Sequence, residues 1–182
     1  RYLDREDAFY VVPRERVEDA RRDRGVTELK GLARAVAVGR LLDADIVVRG
    51  VVEKFGMRRI TAGDPNLVGY KSYQSRIRIA EVEVIRVATE EVMGTVEAGR
   101  DSTERPLGLD LFGRPRKQDR EFRELFSIEF GSERFFELPL GILADAVFED
   151  LSRDIMRLLV DRPPIDLSSD KAVVLAVDRG EV

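Results

Sequence analysis

The chain has 182 residues, 43% hydrophobic and 36% charged, and its 31 basic and 35 acidic side chains leave a net charge of -4. That length suits one ordinary domain with a sizeable core, and the intermixing of the two signs excludes a general nucleic-acid binder, which would mass one sign on a face. With no cysteine and no histidine, disulfides, thiol nucleophiles, thiolate metal sites, the commonest general base and the commonest transition-metal ligand are all absent, so no cofactor is expected.

Phe9-Tyr10-Val11-Val12 reads as a short strand ended by Pro13, which suits the first turn of a helix. That helix spans about 14–23, turns Val17 and Ala20 inward, pairs Glu18 with Arg22, and stops at Gly25. Thr27 is the expected N-cap of a second helix, whose stripe is Leu29, Leu32, Ala33, Val36 and Leu41. Its alanines and Gly39 allow close packing on a sheet, and Asp43 and Asp45 end it. These two acids alone are too few oxygen donors for calcium.

Ile46 to Phe55 reads as a central strand, apolar on both faces in its first half. A long strand follows from Tyr70 to Val87. Its apolar positions are odd up to Ile79 and even from Val82 onward, so a one-residue bulge near Ala80-Glu81 is needed to keep both halves on the core face. Thr89-Glu90-Glu91 turns tightly into Val92–Val96, which makes an antiparallel hairpin. From Arg100 to Gln118 periodicity breaks, and the segment reads as an excursion loop. Its glycines between 108 and 117 lack the Gly-Lys-Ser/Thr of a phosphate loop. Phe122 to Phe130 resumes apolar spacing, as a strand or a short helix.

Leu138-Pro139-Leu140-Gly141 opens the strongest helix. Leu143, Ala146, Val147, Leu151, Ile155, Leu158 and Leu159 form one face, mainly core, with self-association through an exposed part as the alternative. Pro163-Pro164 is a linker. Ala172–Val177 is a strand that begins something else or pairs at the sheet edge. The expected organisation is therefore an α/β (or α+β) domain over 1–162, a mixed β-sheet with an antiparallel hairpin flanked by about three helices, and a linker and strand over 163–182. No apolar run approaches the roughly 20 residues of a membrane helix. The chain opens on Arg1 rather than methionine, so a signal peptide or lipid-attachment cysteine would lie upstream.

Two constellations could carry chemistry. Glu81 and Glu83, two apart on one strand, stand about 7 Å from each other, a separation used by paired carboxylates in glycoside hydrolysis. The plainer reading is a solvated sheet face balanced by Arg76, Arg78 and Arg86. Arg114, Arg116, Lys117, Arg120 and Arg123 form the one basic cluster with aromatics, Phe112 and Phe122. Asp119, Glu121 and Glu124 dilute it, which favours a solvated loop or a protein-contact loop over a nucleic-acid or lipid site. Phe112, Arg114, Arg116, Lys117 and Phe122 are the candidate partner-binding residues.

Three stretches and a helix carry a family resemblance. Phe9-Tyr10-Val11-Val12-Pro13-Arg14-Glu15-Arg16 is similar to a strand–proline–arginine opening, and Leu42-Asp43-Ala44-Asp45 before Ile46–Gly50 to a leucine-x-alanine-aspartate strand start. Val87-Ala88-Thr89-Glu90-Glu91 is similar to a valine-x-threonine-glycine-glutamate turn, with Glu90 in place of the glycine. With the helix from Leu138 to Leu159, in this order, they resemble the soluble core of the curli-secretion lipoprotein family over about 9–159. That family's membrane-crossing hairpins would correspond to 56–72 and 100–125. Here both stretches are charged, without the 9–11-residue alternation of an outer-membrane strand. The resemblance therefore points to soluble periplasmic relatives: flagellar-ring lipoproteins, penicillin-binding-protein activators and the amino-terminal domain of the Tol translocation protein. It implies a non-enzymatic scaffold or adaptor that binds protein partners of the cell envelope. Such a domain would be periplasmic, would meet the membrane only through an upstream lipid anchor, would bind no nucleic acid, and would assemble into a homo-oligomeric ring. Alternatives are a monomeric activator of a periplasmic enzyme and a glycan-binding or glycan-cleaving domain using Glu81 and Glu83.

Overall fold

A computed structural model describes residues 10–62, 70–104, 117–160 and 172–178. In chain order these form β1 (Tyr10–Val11), α1 (Arg14–Arg21), α2 (Arg24–Thr27), α3 (Gly31–Leu41), β2 (Ala44–Ala62), β3 (Tyr70–Arg86), β4 (Glu91–Glu104), α4 (Lys117–Glu124), α5 (Glu133–Glu137), α6 (Pro139–Val160) and β5 (Ala172–Asp178). The sheet order is β1-β5-β2-β3-β4. β1, β5 and β2 are parallel, and β2, β3 and β4 form an antiparallel meander, so the sheet is mixed, as expected for α/β. Six described helices accompany it where the sequence suggested about three.

Two compact units divide the chain. The first takes Arg1–Val52, Ile79–Ala98 and Glu149–Val182; the second takes Glu53–Arg78 and Gly99–Phe148.

In the first unit, Pro13 holds an extended φ of -56° and ψ of 142°, and its carbonyl accepts from Val17 N at 3.3 Å, which starts α1. α1 stops at Arg21 rather than at Gly25. Asp23 begins a new turn, its Oδ1 accepting from the backbone N–H of Gly25 at 2.8 Å, and so caps α2. Thr27 closes that turn, its hydroxyl donating to the Arg24 carbonyl at 3.1 Å. It is not the N-cap of α3, which starts at Gly31 after Lys30. A short polar side chain can bond back to its own turn as readily as it can start a new one.

Val12, Val17, Val26, Val36, Val38, Leu42, Val47, Ile85 and Val87 form the core between α1–α3 and the sheet. Gly39 sets how closely α3 approaches. A Cβ there would stand 2.6 Å from Val87 Cγ2 and 2.7 Å from Val47 Cγ2. The α3 stripe is shifted from the expected one. Ala35, Val36, Val38 and Gly39 are buried, whereas Ala33 and Leu41 face solvent.

β2 begins as the expected central strand, with Ile46, Val47 and Val48 all buried between two strand neighbours. β3 contains the parity switch. Tyr73, Ser75, Ile77 and Ile79 are buried, then Ala80, Val82 and Val84. Between the two series Glu81 has φ 51°, the left-handed conformation that lets one extra residue pass. Glu90 in the β3–β4 turn also has a positive φ, 57°, at the position where the resembled turn has glycine. The final strand is not at the sheet edge: β5 runs parallel between β1 and β2, with Tyr10 opposite Ala172 and Val47 opposite Val174. Leu158 of α6 meets β4 at Gly94, where a Cβ would stand 2.8 Å from Leu158 Cδ2.

In the second unit, β2 continues past the expected end at Phe55 to Ala62, and β3 starts at Tyr70 as expected. Likewise Arg100–Glu104 belong to β4, and Lys117–Glu124 are helical where the sequence suggested loop and then strand or helix. Ser132 caps α5, its hydroxyl accepting from Phe135 N at 3.2 Å.

A candidate partner-binding surface

Of the candidate residues, Phe112, Arg114 and Arg116 lie outside the described residues. Lys117 is the exposed first residue of α4 and reaches Glu121 at 3.4 Å. Phe122 is half-buried, its ring 5.8 Å from that of Tyr73 and 5.5 Å from that of Phe126, with the Arg59 guanidinium 6.0 Å from its centroid.

Two of the three acids that dilute the basic cluster in sequence are buried. Asp119 is 7% exposed and Glu121 9%. Asp119 accepts a short hydrogen bond from the Tyr73 hydroxyl, and Arg59 stands 3.7 Å from the same carboxylate oxygen. Burial first, then the hydrogen bond to Asp119, pushes the Tyr73 phenol up to about 12. Nothing in the local pattern of α4 marks Asp119 as buried, because its partners come from β2 and β3.

Beyond α4 the chain turns through Leu125–Gly131 and leaves Phe126 78% exposed and Phe130 59% exposed. Phe130 packs on Phe55 and Phe135, with centroids at 5.4 and 4.9 Å. Arg134 of α5 grips Glu124 of α4 through two nitrogens at 2.6 and 2.8 Å and Glu137 at 2.6 Å. Hydrogen bonding to Arg134 holds the Glu124 carboxyl below the usual range, and the same pairing raises the guanidinium further. A shallow depression of about 510 Å³ lies over these ion pairs, lined by Lys117, Arg120, Glu121, Glu124, Arg134 and Glu137. Its three cations and three carboxylates leave no dominant sign for a charged ligand. The aromatic surface was partly legible in sequence, since Phe122, Phe126 and Phe130 recur every four residues. That spacing alone does not separate a buried stripe from an exposed one.

The paired carboxylates are not poised together. Glu83 is held by Arg49 at 2.5 Å, and Glu81 is exposed at the bulge. The arginines expected to balance them have other partners: Arg78 with Glu53 at 3.0 Å, Arg76 with Asp101 at 3.5 Å and Arg86 with Glu91 at 3.8 Å. Among the described residues no three potential ligands converge on a metal position, and no described helix is long and apolar enough to cross a membrane. Compared with models of known families, with curated proteins and with solved structures, the chain matches none.

Proposed function

We propose that the chain is a non-enzymatic binding domain, a cell-envelope scaffold or adaptor that receives protein partners on the aromatic surface of its second unit. The observation that carries this reading is the exposure of Phe126 and Phe130 beside Phe55. Large aromatics held in water by a folded framework are what protein interfaces use as anchors. The periplasmic setting and ring assembly rest on the sequence resemblance to curli-secretion lipoproteins and their soluble relatives. The rival activator reading differs in stoichiometry, with a monomer docking on an enzyme. The glycan reading draws less support, because Arg49 already engages the Glu83 carboxylate.

A photo-crosslinking aromatic amino acid at position 126, introduced into the protein in its native envelope, tests the reading. The expected result is a discrete cross-linked protein species, absent when the label is at exposed Glu15. A species containing two copies of this chain, together with a concentration-independent oligomer by light scattering, supports the scaffold form. A species with a different protein and a monomer of 20.7 kDa supports the adaptor form. Cross-linking at 126 no stronger than at 15 would overturn both.

A further inference from the structure

The helix α4 is attached to its unit in an unusual way. Its buried side chains are Asp119 and Glu121, and Phe122 is its one aromatic contact with the sheet. Apart from that of Phe122, the attachments seen among the described residues are charged or polar. Tyr73 from β3 donates to Asp119, and Arg59 from β2 faces it at 3.7 Å. From α4 itself, the Arg123 guanidinium donates to the Asp119 carbonyl at 3.1 Å and Lys117 pairs with Glu121. From α5, Arg134 holds Glu124 at the far end of the helix. An isolated eight-residue helix is marginal in water, so α4 persists only while it is docked. Most docked helices are held by apolar burial, which pH and salt hardly change. This one depends on a buried carboxylate whose ionised form is what Arg59 and the tyrosine hydroxyl recognise.

We propose that α4 is a releasable strap, latched by the Asp119 carboxylate, and that neutralising this carboxylate frees the helix and uncovers Tyr73 and Phe122. Tyr73 is 1% exposed while the strap is docked. Release would expose this ring on β3 and free the ring of Phe122, which packs against it at 5.8 Å in the docked state. The strap would thus set how much aromatic surface a partner meets. A partner presenting its own cation for Asp119 would compete with Arg59 for the latch.

Amide hydrogen exchange on the full chain tests this. Asp119→Asn keeps an acceptor for Tyr73 but has no charge, and so mimics the protonated latch. At neutral pH it should speed exchange of the α4 amides about ten- to a hundred-fold, the effect of losing a charged hydrogen bond. The β3 amides at 74–79 should stay protected. This selective loss of α4 protection is the signature of release. Tyr73→Phe, which leaves α4 untouched, should reproduce part of it. Two outcomes overturn the proposal: α4 exchange in Asp119→Asn within about twofold of wild type, or α4 and β3 losing protection together, which would make the helix an ordinary part of one cooperative core.

Discussion

Tyr73 and Asp119 show how strongly a tertiary neighbour can redefine a side chain. In sequence Tyr73 is an aromatic residue within a strand, and Asp119 is one acid among several surface charges. Together they form a buried donor–acceptor pair with Arg59 at its mouth. Tyr73→Phe should therefore cost about 1.5–3 kcal/mol in urea unfolding, because it leaves a buried carboxylate without its donor. The phenol also gives a pH signature. Its folded pKa of about 12 lies above the usual tyrosine value of about 10, so the folded state holds that proton more tightly than the unfolded state. The associated stability is complete below about 10 and is lost as pH rises toward about 12. Of the four tyrosines, one should ionise near pH 12 by absorbance at 295 nm, and the stability loss over that window should vanish in Tyr73→Phe. Gly39 is the apolar counterpart. The space is already filled by Val47 and Val87, so Gly39→Val should destabilise by about 1–3 kcal/mol despite removing a flexible glycine from a helix.

At the scale of the element, β3 shows which irregularities a sequence discloses. The change of apolar parity at Ala80-Glu81 demanded one extra residue, and the burial series on either side of Glu81 switch as the parity does. The positive φ at Glu81 is the means. A β-branched side chain tolerates that conformation poorly, so Glu81→Val should lose about 1–2 kcal/mol. Glu81→Gly should stay within about 1 kcal/mol of wild type, since glycine removes the strain and adds chain entropy. Equal losses for the two variants in thermal unfolding would show that the bulge backbone is not what matters there. Helix boundaries were harder to read. Asp23 and Thr27 are both good capping residues, and only the turn at Arg22–Asp23 decides that the first caps a helix while the second ends one. The excursion loop, of which 105–116 lie outside the described residues, was drawn too wide at both ends for a related reason. Residues 100–103 have no apolar periodicity because they are an exposed strand end, and α4 has little because its buried positions are acidic.

For the whole molecule, the decisive element is β5. It is an interior strand of the sheet and supplies a parallel neighbour to both β1 and β2. Each backbone group it pairs would otherwise need another partner. Truncation after Arg162 should therefore leave a chain that fails to give a cooperative unfolding transition, and dispersed amide resonances should be lost with it. If 163–182 were only a linker to something further, the truncated chain would melt like the full one.

By itself the sequence determined the class of the fold, together with the central β2, the bulge, the hairpin and the long final helix. These follow from local periodicity and turn chemistry, which act over a few residues and are written directly in the chain. It also removed whole classes of chemistry, since a chain without histidine or cysteine cannot use either. Tertiary structure decided everything that depends on residues far apart. Ile46 of β2 and Val173 of β5, 127 positions apart in the chain, are brought side by side by the sheet pairing of β2 with β5. Asp119 is buried through partners on β2 and β3, and Phe130, packed on Phe55 and Phe135, and Phe126, packed on Phe122, are both left in water. Burial is a property of what lies opposite a side chain, and no window of neighbouring residues contains that information.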